Sequence, residues 1–229
     1  SKTVLSKKVV AAAGPYNGTL VKDIAPYIRR LINPERLFLS FLKIDPIKYD
    51  ELTPQDNNKL TASYPVAYLN SQIFYSMIEK FDEEDRPLLK IGGHFLRTDI
   101  TDLNAVWEME LTEQEILWSK ENTADYMVKL NLPLTASDLE FVKGYSCVYS
   151  LTESEVPYVS HVIKTDEEID TSFVLVGGMS GIGAKGSLAY GLIAADLLLG
   201  KSNESFMYQK TKSSLGTDRL RLDLQNIDE

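Results

Sequence analysis

Cysteine, histidine and positive charge are all scarce in this 229-residue chain. A single cysteine, Cys147, excludes an internal disulfide framework and is typical of a reducing compartment. Lysine and arginine number 24 against 33 acidic residues, which gives a formal charge of −9. Nucleic acids and anionic membranes attract clustered positive charge, so neither is an expected partner. No metal site is predicted.

Long apolar runs are also missing. No stretch approaches the roughly 18 residues that are needed to span a bilayer, and the first residues show no signal-peptide pattern. The most apolar segment, residues 187–199, is better interpreted as a buried helix. We therefore expect a cytoplasmic protein with no membrane-spanning segment, and 44% hydrophobic residues suffice for a substantial core.

Short apolar runs separated by turn residues dominate the first half of the chain and predict strands. They cover residues 8–13, 37–42, 66–69, 73–77 and 88–95. A surface helix is predicted next, with Thr112 as its N-cap, an end near Leu130 and Pro133 as its stop. This order of strands and helices predicts an α+β fold with an antiparallel or mixed sheet.

A glycine-rich turn follows the most apolar strand, 173–178, and leads into a helix that ends at Gly200. That helix carries Leu188, Leu192, Ala195 and Leu199 on one face. Glycines at a helix N-terminus let backbone amides approach an anion or a cofactor, and a tight packing turn is the alternative interpretation. The spacing of these glycines also superficially resembles the nucleotide loop of short-chain dehydrogenases, but we expect too little chain after Gly183 to complete such a fold.

Four strings, at residues 9–16, 90–94, 147–152 and 178–185, together resemble the D-amino-acid oxidase superfamily, and monomeric sarcosine oxidase in particular. Residues 178–185, Gly-Met-Ser-Gly-Ile-Gly-Ala-Lys, are similar to its Gly-Phe-Ser-Gly-His-Gly-Phe-Lys, with Ile182 in place of histidine and Ala184 in place of an aromatic residue. Residues 9–16 resemble the strand that ends Ala-Gly-Ala/Pro-Trp. Residues 90–94 resemble Lys-Leu-Gly-Tyr-His, and residues 147–152 resemble Cys-Met-Tyr-Thr-x-Thr. The strings occur in family order along the whole chain.

The resemblance implies a C-terminal part of a flavoenzyme. Residues 1–20 would supply a strand and turn of a Rossmann-like FAD-binding domain, and residues 21–140 a substrate domain with a mixed or antiparallel sheet. Residues 141–229 would return to the FAD-binding domain with its strand-turn-helix. The N-terminal half of that domain, with its Gly-x-Gly-x-x-Gly loop, is not in this sequence.

The resemblance also implies which residues bind the cofactor, FAD. Positive potential at the start of a helix stabilises the anionic reduced flavin, and Lys185 would reach a substrate carboxylate unless it is simply a solvated lysine. A thioether from Cys147 to the flavin is the implied covalent link, and a small core residue is the plain alternative. The implied cofactor-binding residues are Ala13, Gly14, Cys147, Gly178, Ser180, Gly181, Ile182, Gly183 and Lys185.

Three further residues match catalytic positions of the family. Lys90 would place an ammonium near flavin N5 for reoxidation by oxygen, whereas its plain interpretation is a lysine that extends to water. His94, on the same strand face, would orient the substrate or would serve as a structural hydrogen-bonding group. Tyr149 would close the pocket or would be an ordinary core tyrosine.

The expected reaction is FAD-dependent oxidation of a secondary amine or small amino acid. Hydride transfer to flavin N5 leaves an imine, water hydrolyses the imine, and oxygen reoxidises the flavin. The alternative is a non-catalytic fragment or interaction module that holds no flavin by itself. The expected partners are the substrate, oxygen, and a missing N-terminal half or a partner subunit that completes the flavin site.

Overall fold

The computed structural model describes residues 4–53, 60, 67–69, 73–96, 98–100, 102–164 and 168–228. The chain forms two compact units. Unit 1 combines residues 1–35 with 148–229, and unit 2 contains residues 36–147. These divisions follow Glu35 and Cys147, whereas the sequence predicted boundaries after residues 20 and 140.

Unit 2 is built on a six-stranded sheet. Its strands are β2 (Asn33–Ile44), β3 (Ala67–Leu69), β4 (Phe74–Phe81), β5 (Pro87–Gly92), β6 (Thr98–Asp99) and β7 (Leu139–Leu151). They lie in the order β3-β4-β5-β2-β6, and β7 also pairs with β2. The pairings of β3 with β4, β4 with β5 and β5 with β2 are antiparallel. Since β2 and β7 extend across the unit boundaries, unit 2 holds most but not all of each.

Two helices of the described chain accompany this sheet, α3 (Pro46–Leu52) and α4 (Glu113–Lys129). Thr112 is the N-cap of α4, as predicted, and forms a capping box with Glu115. The core joins the inner face of the sheet to α4 through aromatic contacts. Trp118 stacks on Phe95 at 5.2 Å and meets Phe38 and Phe74 edge-on at 5.8 and 5.9 Å.

Unit 1 contains a three-stranded mixed sheet with the order β1-β9-β8. The strand β1 (Val9–Ala11) runs parallel to β9 (Ile169–Gly177), and β8 (Tyr158–Ile163) runs antiparallel to β9. Every residue of β8 is buried, and Val174 and Leu175 of β9 are fully buried. The sheet is therefore covered on both faces at its centre.

Five helices pack in the described part of unit 1: α1 (Asn17–Leu20), α2 (Ile28–Leu31), α5 (Gly183–Leu198), α6 (Phe206–Leu215) and α7 (Thr217–Asp228). One core cluster places α2 and α7 with Tyr158, and another places α5 and α6 with Val159 and Val174. Gly200, at φ +73°, follows α5 as predicted, and the amide of Lys201 donates to Asp196.

The α+β class and the mixed and antiparallel sheets are confirmed. The predicted burial of residues 187–199 is wrong for one face of α5. Leu188, Leu192 and Leu199 are 84, 57 and 65% exposed, because α5 contacts its core cluster through Ile193, Ala194 and Leu197 instead. Within the described part of the chain, no helix is long and apolar enough to cross a membrane.

A candidate cofactor site at the start of α5

The turn between β9 and α5 has a backbone that few side chains tolerate. Gly178, Ser180 and Gly181 adopt φ angles of +70°, +46° and +80°. Two of these positions are glycine, which pays no steric cost in the left-handed region. Ser180 is the exception and must be held there by its surroundings.

Hydrogen bonds to β7 hold Ser180 in place. Its amide donates to the carbonyl of Ser150 at 2.9 Å, and its Oγ accepts from the amide of Thr152 at 3.4 Å. The same Oγ donates to the carbonyl of Gly178 at 3.1 Å. Ser180 therefore shapes the turn, and its hydroxyl is already engaged within the protein.

Both glycines of the turn face side chains from the end of β7. A Cβ at Gly178 would lie 2.3 Å from Cγ2 of Thr152, and a Cβ at Gly181 would lie 2.7 Å from the ring of Tyr149. Such contacts are far inside van der Waals distance, so glycine is required at both positions. The ring of Tyr149 thus lies directly against the turn.

Asn17 ties the end of β1 to the end of β9. Its Oδ1 accepts from the amide of Ala13 at 3.0 Å, and its Nδ2 donates to the carbonyl of Val176 at 3.0 Å. A Cβ added at Gly14, where φ is +56°, would meet no heavy atom within 4 Å, so the backbone there faces open space. The turn after β1 and the turn after β9 consequently lie at the same end of the sheet.

The N-terminus of α5 lacks a side-chain cap. Ile182 occupies the N-cap position, is 37% exposed and makes no capping hydrogen bond. The amides of Ile182 and Lys185 donate to Met179 and Ile182. The first-turn amides of Gly183 and Ala184 have no carbonyl partner within the helix.

These features fit a ligand with a negative or hydrogen-bond-accepting edge. The helix N-terminus carries partial positive charge, and no side chain of the N-cap residue competes for its donors. Lys185, exposed on the first turn of the same helix, adds a full positive charge. The pyrimidine edge of a reduced flavin is such a ligand, so the residues present fit the predicted cofactor.

An apolar groove runs beside this turn along α5. Its volume is about 520 Å³. One wall is a row of small residues at four-residue spacing on α5, and the other is formed by β1 and β9. Those wall residues are Gly183, Ser187, Gly191 and Ala195 on the helix and Val10, Ala12 and Val176 on the strands.

Lys90 and His94 lie in unit 2. Lys90 faces away from the core that holds Leu89 and Ile91, as strand alternation predicts, and its Nζ lies 3.0 Å from Glu79 Oε2. His94 is partly buried and lies beyond Gly92, the last residue of β5. Strand alternation therefore does not place His94 on the face of Lys90.

Cys147 is half-buried in β7 and is a free thiol. Burial raises the pKa of this thiol, and the nearby charge of Arg36 opposes the shift only in part. Arg36 is itself engaged by the carboxylate of Glu115 and by Ser146 Oγ. The thiol is thus held in its protonated form, which is the less nucleophilic one.

Within unit 1 the structure brings together the turn after β1, the glycine-rich turn and the end of β7. This cluster contains Ala13, Gly14, Tyr149, Gly178, Ser180, Gly181, Ile182, Gly183 and Lys185. The remaining predicted residues, Lys90, His94 and Cys147, belong to unit 2. Among the described residues, no group of three or more histidine, cysteine or acidic side chains could hold a metal ion.

Sequence reasoning missed the residues that shape this cluster from a distance in the chain. Asn17 and Thr152 contact this region across many intervening residues, and no role was predicted for either, although Thr152 lies in the matched string 147–152. Ser150 is a third, since its carbonyl accepts a hydrogen bond from the amide of Ser180. Asn17 carries the one usable hint, because an asparagine directly after a Gly-Pro turn commonly bonds to nearby backbone.

No protein-family model matches the chain, and no curated protein sequence matches it. Solved structures do match its fold. Fructosyl peptide oxidase from E. terrenum superposes with a TM-score of 0.62 at 15% identity, covering 93% of this chain and 45% of its own. Iminodiacetate oxidase from Chelativorans sp. BNC1 gives 0.56 at 15% identity, covering 86% and 44%. Glycine oxidase from Geobacillus kaustophilus gives 0.54 at 16% identity, covering 85% and 42%.

The chain therefore has the fold of part of these oxidases and spans less than half the length of each. The resemblance drawn from four short strings is confirmed at the level of the fold. Identities near 15% carry no assignment of substrate or cofactor by themselves.

Proposed function

We propose that this chain contributes to an FAD-dependent enzyme of the D-amino-acid oxidase superfamily that oxidises a secondary amine or a small amino acid. One observation carries the proposal. The glycine-rich turn, with three left-handed residues, opens onto an uncapped helix N-terminus within a fold shared with three solved amine and amino-acid oxidases.

The flavin, when bound, supplies the two-electron chemistry that converts the amine to an imine. The chain's own contribution at that group is electrostatic. The amides of Gly183 and Ala184 would hold the negative edge of a reduced flavin, and the dipole of α5 would favour the same charge. Glycine at position 181 lets the ring of Tyr149 pack against the turn, and this packing would fix the backbone that leads to these amides.

Substrate contacts come from cations and polar side chains. Lys185 binds the carboxylate of an amino-acid substrate, and His94 orients the substrate by a hydrogen bond. Lys90 supplies the ammonium that favours electron transfer to oxygen. Balanced over one turnover, amine and dioxygen give imine and hydrogen peroxide, and water then hydrolyses the imine.

A further polypeptide segment or subunit completes the flavin site in this proposal. The short strand β1 lies at the edge of its sheet, and Val9 and Val10 are 42 and 41% exposed. Exposed parallel edges are uncommon and invite another strand. The groove beside β1, with its small-residue wall on α5, suits a closely packed helix.

The second candidate function is a non-catalytic interaction module without flavin. The exposed leucines of α5 favour it, because an apolar face of this kind serves protein contact as well as it serves cofactor enclosure. The two candidates differ in whether FAD binds.

A flavin titration with acid precipitation separates these candidates. The purified protein is equilibrated with FAD, freed of excess cofactor and examined by its visible spectrum. Retained yellow colour supports the flavoenzyme, and colour that precipitates with wild-type protein but not with Cys147→Ser establishes the thioether. Colour released by acid keeps the flavoenzyme and removes the covalent link. A protein that takes up no FAD, alone or with its completing segment, supports the interaction module.

A further inference from the structure

Lys90 is not a lone cation on its sheet. Its Nζ donates to Glu79 Oε2 at 3.0 Å, and the two side chains are 26 and 39% exposed. Resemblance to a family identified Lys90 but gave no role to Glu79. The ion pair therefore adds a residue to the site that the sequence strings do not contain.

The pairing of β4 with β5 explains how Glu79 reaches Lys90. Met77 lies directly opposite Lys90, and Glu79, two residues farther along β4, reaches Lys90 diagonally across the two strands. The register shifts at this point, with Ile78 opposite Leu89 and Lys80 opposite Leu88. Glu79 is the extra residue of this β-bulge, a device that aims side chains and recurs beside active sites.

The same sheet face shows what else Lys90 could bond to. Its neighbours directly across β4 and β2 are Met77 and Phe41, which offer no charge. Lys143, above the ring of Phe41 at 4.8 Å, is a second cation and not an acceptor. Glu79 is therefore the anion that holds Lys90 on this face of the described sheet.

We propose that Glu79 is a positioning residue that fixes the Lys90 ammonium and offsets its charge, and so restrains the reaction of the enzyme with dioxygen. This inference rests on the proposed function. Dioxygen gains negative charge with its first electron, and a nearby cation stabilises that charge. A carboxylate bonded to the cation weakens this stabilisation, which leaves more of the reducing equivalents for another two-electron acceptor.

The overall stoichiometry is unchanged by this restraint. Reduced enzyme passes two electrons to dioxygen, which takes up two protons and leaves as hydrogen peroxide. The alternative acceptor, a quinone-type dye, takes the same two electrons and two protons. Glu79 alters the relative rates of these two routes and takes part in neither as an electron or proton donor.

The first measurement concerns the pair alone and requires no flavin. Lys90 is acetylated with a water-soluble amine reagent in the 229-residue chain, and its labelling rate is followed by peptide mass spectrometry. We expect Glu79→Gln to accelerate labelling of Lys90 severalfold, because the bond to the carboxylate no longer has to break first. Glu84→Gln is the matched control, since Glu84 pairs with Arg86 in the turn of the same hairpin. Equal labelling of Lys90 in wild type and Glu79→Gln overturns the proposal.

The second measurement uses the flavin-loaded enzyme and rapid mixing with oxygenated buffer. We expect Glu79→Gln to raise the rate constant for oxygen by about tenfold, while the rate with a quinone dye and the rate of reduction by substrate stay near wild type. Glu84→Gln should change none of these rates. In a Lys90→Met background, Glu79→Gln should have no effect.

The outcomes of the two measurements distinguish this inference from the function on which it rests. An unchanged or lower oxygen rate in Glu79→Gln overturns the inference and leaves the flavoenzyme intact. A protein that binds no FAD overturns the proposed function, and the oxygen effect with it. The labelling result then still decides whether Glu79 holds Lys90.

Discussion

Helices α4 and α5 are nearly equal in length, with 17 and 16 residues, but differ in what their apolar faces contact. α4 buries Trp118, Tyr126 and Met127 in the core of unit 2. α5 is the more apolar helix, yet it leaves Leu188, Leu192 and Leu199 largely exposed.

The N-termini of α4 and α5 also differ in whether they are capped by a side chain. α4 begins with a reciprocal capping box between Thr112 and Glu115, whereas α5 begins at an isoleucine with no side-chain cap. A helix that serves only the core has its donors satisfied within the protein. In the proposed function, this contrast reflects that α5 receives the cofactor at its first turn and another polypeptide segment along its exposed side.

The largest expected effect comes from truncating the aromatic centre of α4. Trp118→Ala should lower the free energy of unfolding by about 3–5 kcal/mol, since it empties the space between three phenylalanine rings. Leu188→Ala on α5 should change it by less than about 0.5 kcal/mol, because this side chain is 84% exposed. Urea denaturation with hydrogen exchange resolved to each unit measures both. A large loss in Leu188→Ala would mean that the isolated chain covers this face.

Much of the fold was predictable because its signals are local. Thr112 marked the start of α4, Gly200 marked the end of α5, and the strand before the glycine-rich turn is nearly continuous apolar sequence. α3 was missed although its signals are present, with Asp45 as N-cap and Pro46 in the first turn.

Other elements carry no usable local pattern. In β8 the polar pair Ser160 and His161 interrupts the apolar run, and only the fold shows that both are buried and bonded. Ser160 Oγ donates to the carbonyl of His161, and His161 Nδ1 lies 3.3 Å from the carbonyl of Phe173. The strand β7 was also not predicted, because half-buried and exposed residues alternate irregularly along it.

The candidate site also combines residues that have a local sequence signal with residues that have none. Its glycines are adjacent in sequence and were predicted together, and Tyr149 was predicted separately, whereas Thr152 and Glu79 were given no role. Thr152 and Tyr149 meet the turn only through the tertiary fold, and Glu79 meets Lys90 only through the register of two strands. The roles of these residues toward a cofactor remain predictions.

Intermediate changes in stability are expected when alanine replaces a glycine of the turn before α5 or a glycine within α5. Gly181→Ala should destabilise the protein by about 1–3 kcal/mol, because φ is +80° and the ring of Tyr149 occupies the Cβ position. Gly191→Ala is the matched control within the helix, where a Cβ meets nothing within 4 Å. It should stabilise the isolated chain by about 0.5–1 kcal/mol.

The same two variants should also differ in their uptake of FAD. Gly181→Ala should also abolish FAD uptake in the proposed site, while Gly191→Ala should leave the site itself unchanged. A stable Gly181→Ala protein with normal FAD uptake would contradict the role that we propose for this turn in holding the flavin.

The smallest effects concern the two helix caps. Thr112→Ala should cost about 1 kcal/mol of stability, because α4 loses the acceptor for the Glu115 amide. Ile182→Ser should act in the opposite direction and stabilise α5 by up to about 1 kcal/mol, since a hydroxyl at the N-cap satisfies a first-turn donor. That donor is then lost to the flavin, so the dissociation constant for FAD should rise severalfold while stability increases. Unfolding and FAD titration of the same two variants check this opposition. If Ile182→Ser gains stability without losing FAD affinity, the free amides of α5 are not the ones that hold the cofactor.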